Sequence, residues 1–164
     1  MAGLRTQKRR RKEGKTDYKL RLKLLKSEMS RIVVRRTNKY YLLQIVESKE
    51  SQDKVIKGIT SKELIAQGLD KKHTGSLKSV PAGYLTGLLF AKQLDLKQEY
   101  IIDLGMTRTI SGNRIYSVLK GLVDGGANIR VNEKIFPSQE RIDGSHLNKE
   151  TKEAFNKLKE KISK

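Results

Sequence analysis

Two hydrophobic periods alternate along the chain, and each change from one to the other marks an element. Residues 1–15 show no apolar period and read as an extended arm. Thr16 or Asp17 offers a helix cap, and Tyr18, Leu22, Leu25 and Met29 follow at i, i+4, i+7 and i+11, a helical stripe. Residues 19–24 also alternate at period two, so a strand competes with the helix there. Residues 31–36 are rich in β-branched side chains and read as a strand. Thr37-Asn38-Lys39 supplies a turn, residues 40–46 the hairpin partner, polar residues 47–53 a second turn and residues 54–59 a third strand.

Thr60 and Glu63 have the spacing of a capping box, which predicts a short helix ended by Gly68. Residues 69–78 are polar and read as a loop. Ser79, Val80 and Pro81 open a longer helix to Gln93, apolar on most sides and therefore central to the fold. Gly83 and Gly87 sit one turn apart in it. A helix interior tolerates glycine at a cost of about 1 kcal/mol, so close backbone packing is the expected reason for both. Residues 99–104 form a strand ended by Gly105. A loop, 106–112, leads into a helix from Arg114 with Ile115, Val118, Leu119 and Leu122 on one face, stopped by Gly125-Gly126. A short strand over 127–131 completes a strand–helix–strand unit, which implies a right-handed parallel crossover. Residues 132–147 look irregular, and Asn148 begins a last amphipathic helix with Phe155, Leu158 and Ile162 inward. The order βββααβαβ predicts a single α/β domain with a mixed sheet and packed helices. Its expected divisions are a basic arm at 1–15, an α/β domain at 16–131 and a C-terminal extension at 132–164.

Composition removes several classes of function. The 164 residues include no Cys, so there is no disulfide framework, no Cys-ligated zinc and no thiol nucleophile. His73 and His146 are the only histidines, too few for a His-rich metal site. No apolar run approaches the roughly 18 residues of a membrane span, and the N-terminal stretch lacks the apolar core of a secretory signal. There is no dinucleotide fingerprint and no Ser/His/Asp arrangement. Neither a cofactor nor a small-molecule substrate is expected.

Charge changes the picture most. The formal net charge is +18, and residues 1–39 hold 15 Lys/Arg against 3 Asp/Glu. Such an excess repels itself unless a polyanion neutralises it. A membrane surface needs an opposed apolar face, and residues 1–15 offer only Leu4. Nucleic acid is the better partner, because the run Lys8-Arg9-Arg10-Arg11-Lys12 continues through Lys15 into Tyr18 and Arg21 of the first helix. Arg5 belongs to the same arm.

Three further basic sites are candidates for RNA contact. The hairpin tip Arg35-Arg36-Thr37-Asn38-Lys39-Tyr40 combines cations with an aromatic that can stack on an unpaired base; a solvated turn accounts for it equally. The strand–helix loop with Arg108, Asn113 and Arg114 has backbone N–H groups and a helix dipole that favour an anion; an ordinary connection is the alternative. Lys72 and His73 lie in a basic loop suited to phosphate. Asp95, Asp103 and Asp124 raise a different possibility, a Mg²⁺-dependent nuclease, although nothing in their spacing makes them converge. A general DNA-compacting basic protein is the remaining alternative.

Several ordered segments carry a resemblance. RIVVRRTNK at 31–39, GYLTGL at 83–88, Asp103-Leu104-Gly105, Gly112-Asn113-Arg114, LKGLVDG at 119–125 and FPSQERIDGSH at 136–146 together resemble the 5S rRNA-binding family of large-subunit ribosomal proteins (universal protein eighteen), in its archaeal form. The resemblance spans roughly residues 5–150. It implies a ribonuclease H-like topology and a non-catalytic place in the cytoplasmic ribosome. There the protein would anchor 5S rRNA to 23S rRNA in the central protuberance, beside neighbouring large-subunit proteins. By position, the arm, Arg35, Arg36, Asn38 and Lys39 are expected on RNA, with Arg108, Asn113 and Arg114 as further contacts.

Overall fold

A computed structural model describes residues 6–50 and 52–163. Its sheet has five strands in the order β3-β2-β1-β4-β5. β1 (Arg31–Arg36), β2 (Tyr41–Lys49) and β3 (Gln52–Thr60) form an antiparallel meander, while β4 (Glu99–Asp103) runs parallel to β1 and the two-residue β5 (Asn128–Ile129) parallel to β4. The single α/β domain with a mixed sheet is therefore present, and the parallel β4–β5 pairing is the one the strand–helix–strand pattern requires.

The second turn is shorter than polarity alone predicts. Residues 47–49 and 52–53 pair within the ladder, with Ser48 opposite Asp53, and Glu50 takes a positive φ of 50°. The polar side chains stay in the strands because Asp53 is anchored there: its carboxylate accepts from Ser48, Arg21 and Arg31.

One face of the sheet is covered by two helices, α4 (Val80–Ala91) and α5 (Arg114–Asp124). Ser79 caps α4 by accepting from the Ala82 N–H. α4 is buried on nearly every side, as its composition predicts, because it separates two apolar clusters. One contains Ile32, Val34, Leu43 and Ile45 of the sheet with Ile115, Val118, Leu119 and Leu122 of α5. The other joins Leu85 and Leu88 of α4 to Leu64 of α3 (Glu63–Ala66), Ile142 of α6 (Gln139–Ile142) and Phe155, Leu158 and Ile162 of α7 (Lys149–Ser163). Close packing of α4 on α5 explains the helix glycines. A Cβ on Gly87 would lie 2.3 Å from the Val118 carbonyl oxygen, and one on Gly121 2.1 Å from that of Tyr84. Residues 69–78 and 132–147 are more ordered than expected, with 3₁₀ turns at Lys71–Ser76 and Glu133–Ile135 besides α6.

The basic front end departs from the extended arm. Residues Arg9–Lys12 form one helical turn, α1, and the chain folds back: Gly14 takes φ 63° and Arg10 Nε donates to Thr16 Oγ1 at 2.9 Å. Asp17 then caps α2 (Tyr18–Lys26), accepting from the N–H groups of Lys19 and Leu20. Of the predicted stripe, Tyr18 and Leu25 are half-buried, Met29 is half-buried beyond the helix end, and Leu22 is the exception at 55% exposed. Arg21 and Leu24 are half-buried in its place, with Arg21 held by its ion pair with Asp53.

Candidate nucleic-acid interface

The second face of the sheet carries ionic chemistry. Successive strand residues point to opposite faces, so Arg31, Val33 and Arg35 of β1 point away from α4 and α5. Arg31 is only 2% exposed. Its guanidinium donates to Ser48 Oγ at 2.6 Å and Asp53 Oδ1 at 2.8 Å, and reaches Asp103 Oδ2 at 3.5 Å. Asp103 also takes Arg35 Nη2 on Oδ1 at 2.9 Å, and the same oxygen accepts the Gly105 N–H. Arg21 closes the chain by donating to Asp53 Oδ2 at 2.9 Å. Three arginines and two aspartates thus tie α2, β1, β3 and the end of β4 together. Burial works to raise the pKa of Asp53, but hydrogen bonds from Arg21 and Ser48 and the neighbouring guanidinium charges hold it below the usual value. The hydrogen bond to Asp53 in turn raises Arg21.

Arg21, Arg35 and Asp103 of this network also line a groove. Arg10 and Lys15 of the arm, Leu20, Arg21 and Leu24 of α2, Arg35 and Arg36 of β1, and residues 103–107 line it. An adjoining concavity shares Arg36 and Thr107 and continues past Arg108 and Ile110 to Asn113. The arm, the hairpin end and the β4–α5 loop are therefore brought onto one surface.

The loop is held rigidly. The Asn113 side chain caps α5 through the Ile115 N–H and donates to the Arg108 carbonyl, while Gly112 N–H and Ser111 Oγ donate to the carbonyls of Ile135 and Lys134. Asn113 is thus committed to the loop's own geometry, and Arg108 and Arg114 are exposed beside it. Burial pushes the Tyr41 hydroxyl up to about 12, and the charges of Arg114 and Arg36 oppose that rise.

The remaining predicted contacts are distributed differently. Arg9, Arg11 and Lys12 are exposed on the arm, and Asn38 and Lys39 on the hairpin turn. The two aromatic candidates already carry cations: Lys8 Nζ lies 4.7 Å from the Tyr18 ring centroid and Lys62 Nζ 4.7 Å from that of Tyr40. Lys72 and His73 are set apart, in a concavity with Asp70, Glu150 and Glu153, where His73 Nδ1 lies 3.4 Å from Thr151 Oγ1. Arg5 lies outside the described residues. Leu20, Met106 and Thr107 also line the groove, and no sequence pattern singles them out, since only the fold brings α2 beside the β4–α5 loop.

The three aspartates do not meet. Asp103 serves the arginine network, Asp124 accepts from Tyr84 Oη at 2.9 Å and Lys120 Nζ at 2.8 Å, and Asp95 caps its own turn through the Lys97 N–H. Among the described residues no three His, Cys, Asp or Glu side chains gather as metal ligands, and no helix is long and apolar enough to cross a membrane.

These features define a basic α/β protein built to present positive charge along a groove. The family profile described as "Ribosomal large subunit proteins 60S L5, and 50S L18" matches residues 3–100. The large ribosomal subunit protein uL18 of Methanoregula boonei is 42% identical over 141 residues, 85% of this chain and 79% of the relative. That of Methanococcoides burtonii is 39% identical over 94% of this chain and 91% of the relative. That of Korarchaeum cryptofilum is 43% identical over 85% and 70%. The chain belongs to this family of large-subunit ribosomal proteins.

Proposed function

We propose that the protein binds 5S rRNA and fixes it to 23S rRNA in the central protuberance of the large subunit, beside neighbouring ribosomal proteins. The observation that supports this reading is the pair of adjoining concavities that run from Arg10 and Lys15 through the shared Arg36 to Arg108. Cations so arranged follow a phosphate backbone and release its counterions, which supplies affinity. The shape of the groove and of the folded-back arm supplies preference for a folded RNA, since a paired RNA helix is recognised mainly by shape. Arg5, Lys8, Arg9, Arg11, Lys12, Tyr18, Arg21, Arg35, Asn38, Lys39, Tyr40 and Arg114 extend the contact around the groove. Asn113 sets the position of Arg108, and Lys72 and His73 make a secondary contact at a separate place.

The test is retention of labelled, refolded 5S rRNA by the full chain against an excess of unlabelled duplex DNA. The complex is expected to survive. Equal displacement by duplex DNA and by unlabelled 5S rRNA would reject the reading in favour of a general DNA-compacting protein.

A further inference from the structure

We propose that the free edge of the sheet, β3, takes an extended acidic segment of a neighbouring protein as a sixth strand, with apolar side chains against Val55 and Ile56 and carboxylates on Lys54 and Lys57. The inference adds a protein partner on a surface apart from the RNA groove. It rests on the ribosomal reading only for the presence of such a neighbour.

β3 has nine residues, stands at the end of the strand order and pairs on one side only, with β2. An edge strand turns a row of N–H and C=O groups away from its partner. Among the described residues, no main-chain group outside the β2 ladder pairs with residues 53–58. Residues 52–58 are all exposed, Val55 at 50% and Ile56 at 43%.

Sheet edges are ordinarily blunted by charge or by a bulge, and this edge does have a bulge. The register passes from Val46 opposite Val55 to Ile45 opposite Lys57, so Ile56 is the additional residue. A bulge re-aims the side chain it adds, and here that side chain is apolar and in water. Val55, opposite the buried Val46, lies on the face that α2 overhangs. Arg21 of α2 bonds Asp53 two positions earlier in β3, and the adjacent Leu22 is 55% exposed. Three large apolar side chains are thus left uncovered around an unpaired main chain.

Charge selects the occupant. Of the charged groups on β3, the Asp53 carboxylate is taken by Arg21 and Arg31. Lys54 is exposed and makes no side-chain hydrogen bond or ion pair among the described residues. Lys57 Nζ donates to the Gln93 carbonyl at 2.9 Å and meets no carboxylate there. A second copy pairing antiparallel about Val55 and Ile56 would set Lys54 opposite Lys57, and like charges directly opposite destabilise a ladder. The net charge of +18 on each copy adds to that repulsion. A strand reading acid–apolar–apolar–acid reverses the sign at both lysines and covers Val55 and Ile56 together. An RNA backbone would meet the lysines but has no peptide groups for the free ladder.

The test places a photoreactive group on the edge. The full chain with Val55→p-benzoylphenylalanine is assembled into large subunits in cells. The purified subunits are irradiated and the cross-linked peptides sequenced. The expected product is a peptide of another protein with two acidic residues flanking apolar ones. Adding Ile56→Lys should lower its yield about tenfold, the scale set by returning one large apolar side chain to water. Both positions are on the surface, and circular dichroism of the free chains verifies the fold. Cross-links to rRNA, to a second copy or to a segment without that pattern overturn the proposal and leave RNA binding intact. So do the absence of any cross-link and a yield that survives Ile56→Lys. Subunits that hold 5S rRNA but lack the chain would overturn the RNA reading as well.

Discussion

Arg35 commits three of its five N–H groups to the fold, two of them to one residue: Nη1 donates to the Asp103 carbonyl at 2.6 Å and Nη2 to its carboxylate at 2.9 Å, while Nη1 also reaches the Val34 carbonyl. Arg35 is therefore bound into the fold beside the groove, whereas the neighbouring Arg36 makes no side-chain hydrogen bond or ion pair among the described residues. The two arginines, adjacent in sequence, have different work because only Arg35 reaches Asp103.

Asp103 holds the buried Arg31 as well. Removing Asp103 leaves the buried Arg31 with Asp53 and Ser48 alone and takes away the carboxylate that Arg35 pairs with. Asp103→Ala is expected to cost about 3–5 kcal/mol of unfolding free energy, read by urea titration. A loss under about 1 kcal/mol, the range of an exposed pair, would show that Asp53 and Ser48 suffice for Arg31.

Acid should act through Asp53. Its folded pKa lies below the ordinary carboxylate value. The stabilisation it provides is fully present above the unfolded aspartate value of about 3.9 and is lost as pH falls through the lower folded value. Asp53→Asn removes this titration, so the variant's stability should fall less steeply with acid than the wild type's. Parallel stability–pH curves for the two proteins would contradict the assignment.

The arm's contribution is separable by salt. Deleting residues 1–15 should weaken 5S rRNA binding and reduce the slope of log K against log salt, by about 0.7–0.9 for each phosphate the arm neutralises. An unchanged slope would place the arm off the RNA.

Position within the groove ranks the other cations. Arg36→Ala with Arg108→Ala is expected to weaken 5S rRNA binding more than Lys72→Ala with His73→Ala, since only the first pair lines the groove. The reverse order in a binding titration would move the principal contact to the face beside α7.

The α4–α5 contact predicts a steric effect independent of RNA. Gly87→Ala forces a methyl group against the Val118 carbonyl. Overpacking of this kind costs about 1–3 kcal/mol, measurable in thermal unfolding, and a neutral result would mean that the helices separate freely.

The chain's periodicity shows most of this fold and little of the groove. Ile32, Val34, Leu43 and Ile45 alternate as a half-buried sheet requires, and Phe155, Leu158 and Ile162 repeat as a helix face requires, so their burial is legible directly. Gly83 and Gly87 signal the close helix contact for the same reason, because a glycine pair in an apolar helix needs a neighbour. Leu22 misleads because local spacing cannot know that Arg21 finds Asp53, 32 positions away, and turns α2 about its axis. Leu20 and Met106 are invisible as partners: they are far apart in sequence, and only the strand order brings them to one concavity. The candidate cations are legible from charge density, but not which of them the fold consumes.

Burial of Arg31 gives the molecule two electrostatic systems with different sensitivities. Its ion pair with Asp103 is largely buried and weakly screened, whereas Arg36 and the arm's cations stand in solvent, within reach of screening. A concentrated salt wash should accordingly strip the nucleic acid and release an intact, still-folded polypeptide, ready to be loaded again once the ions are dialysed away.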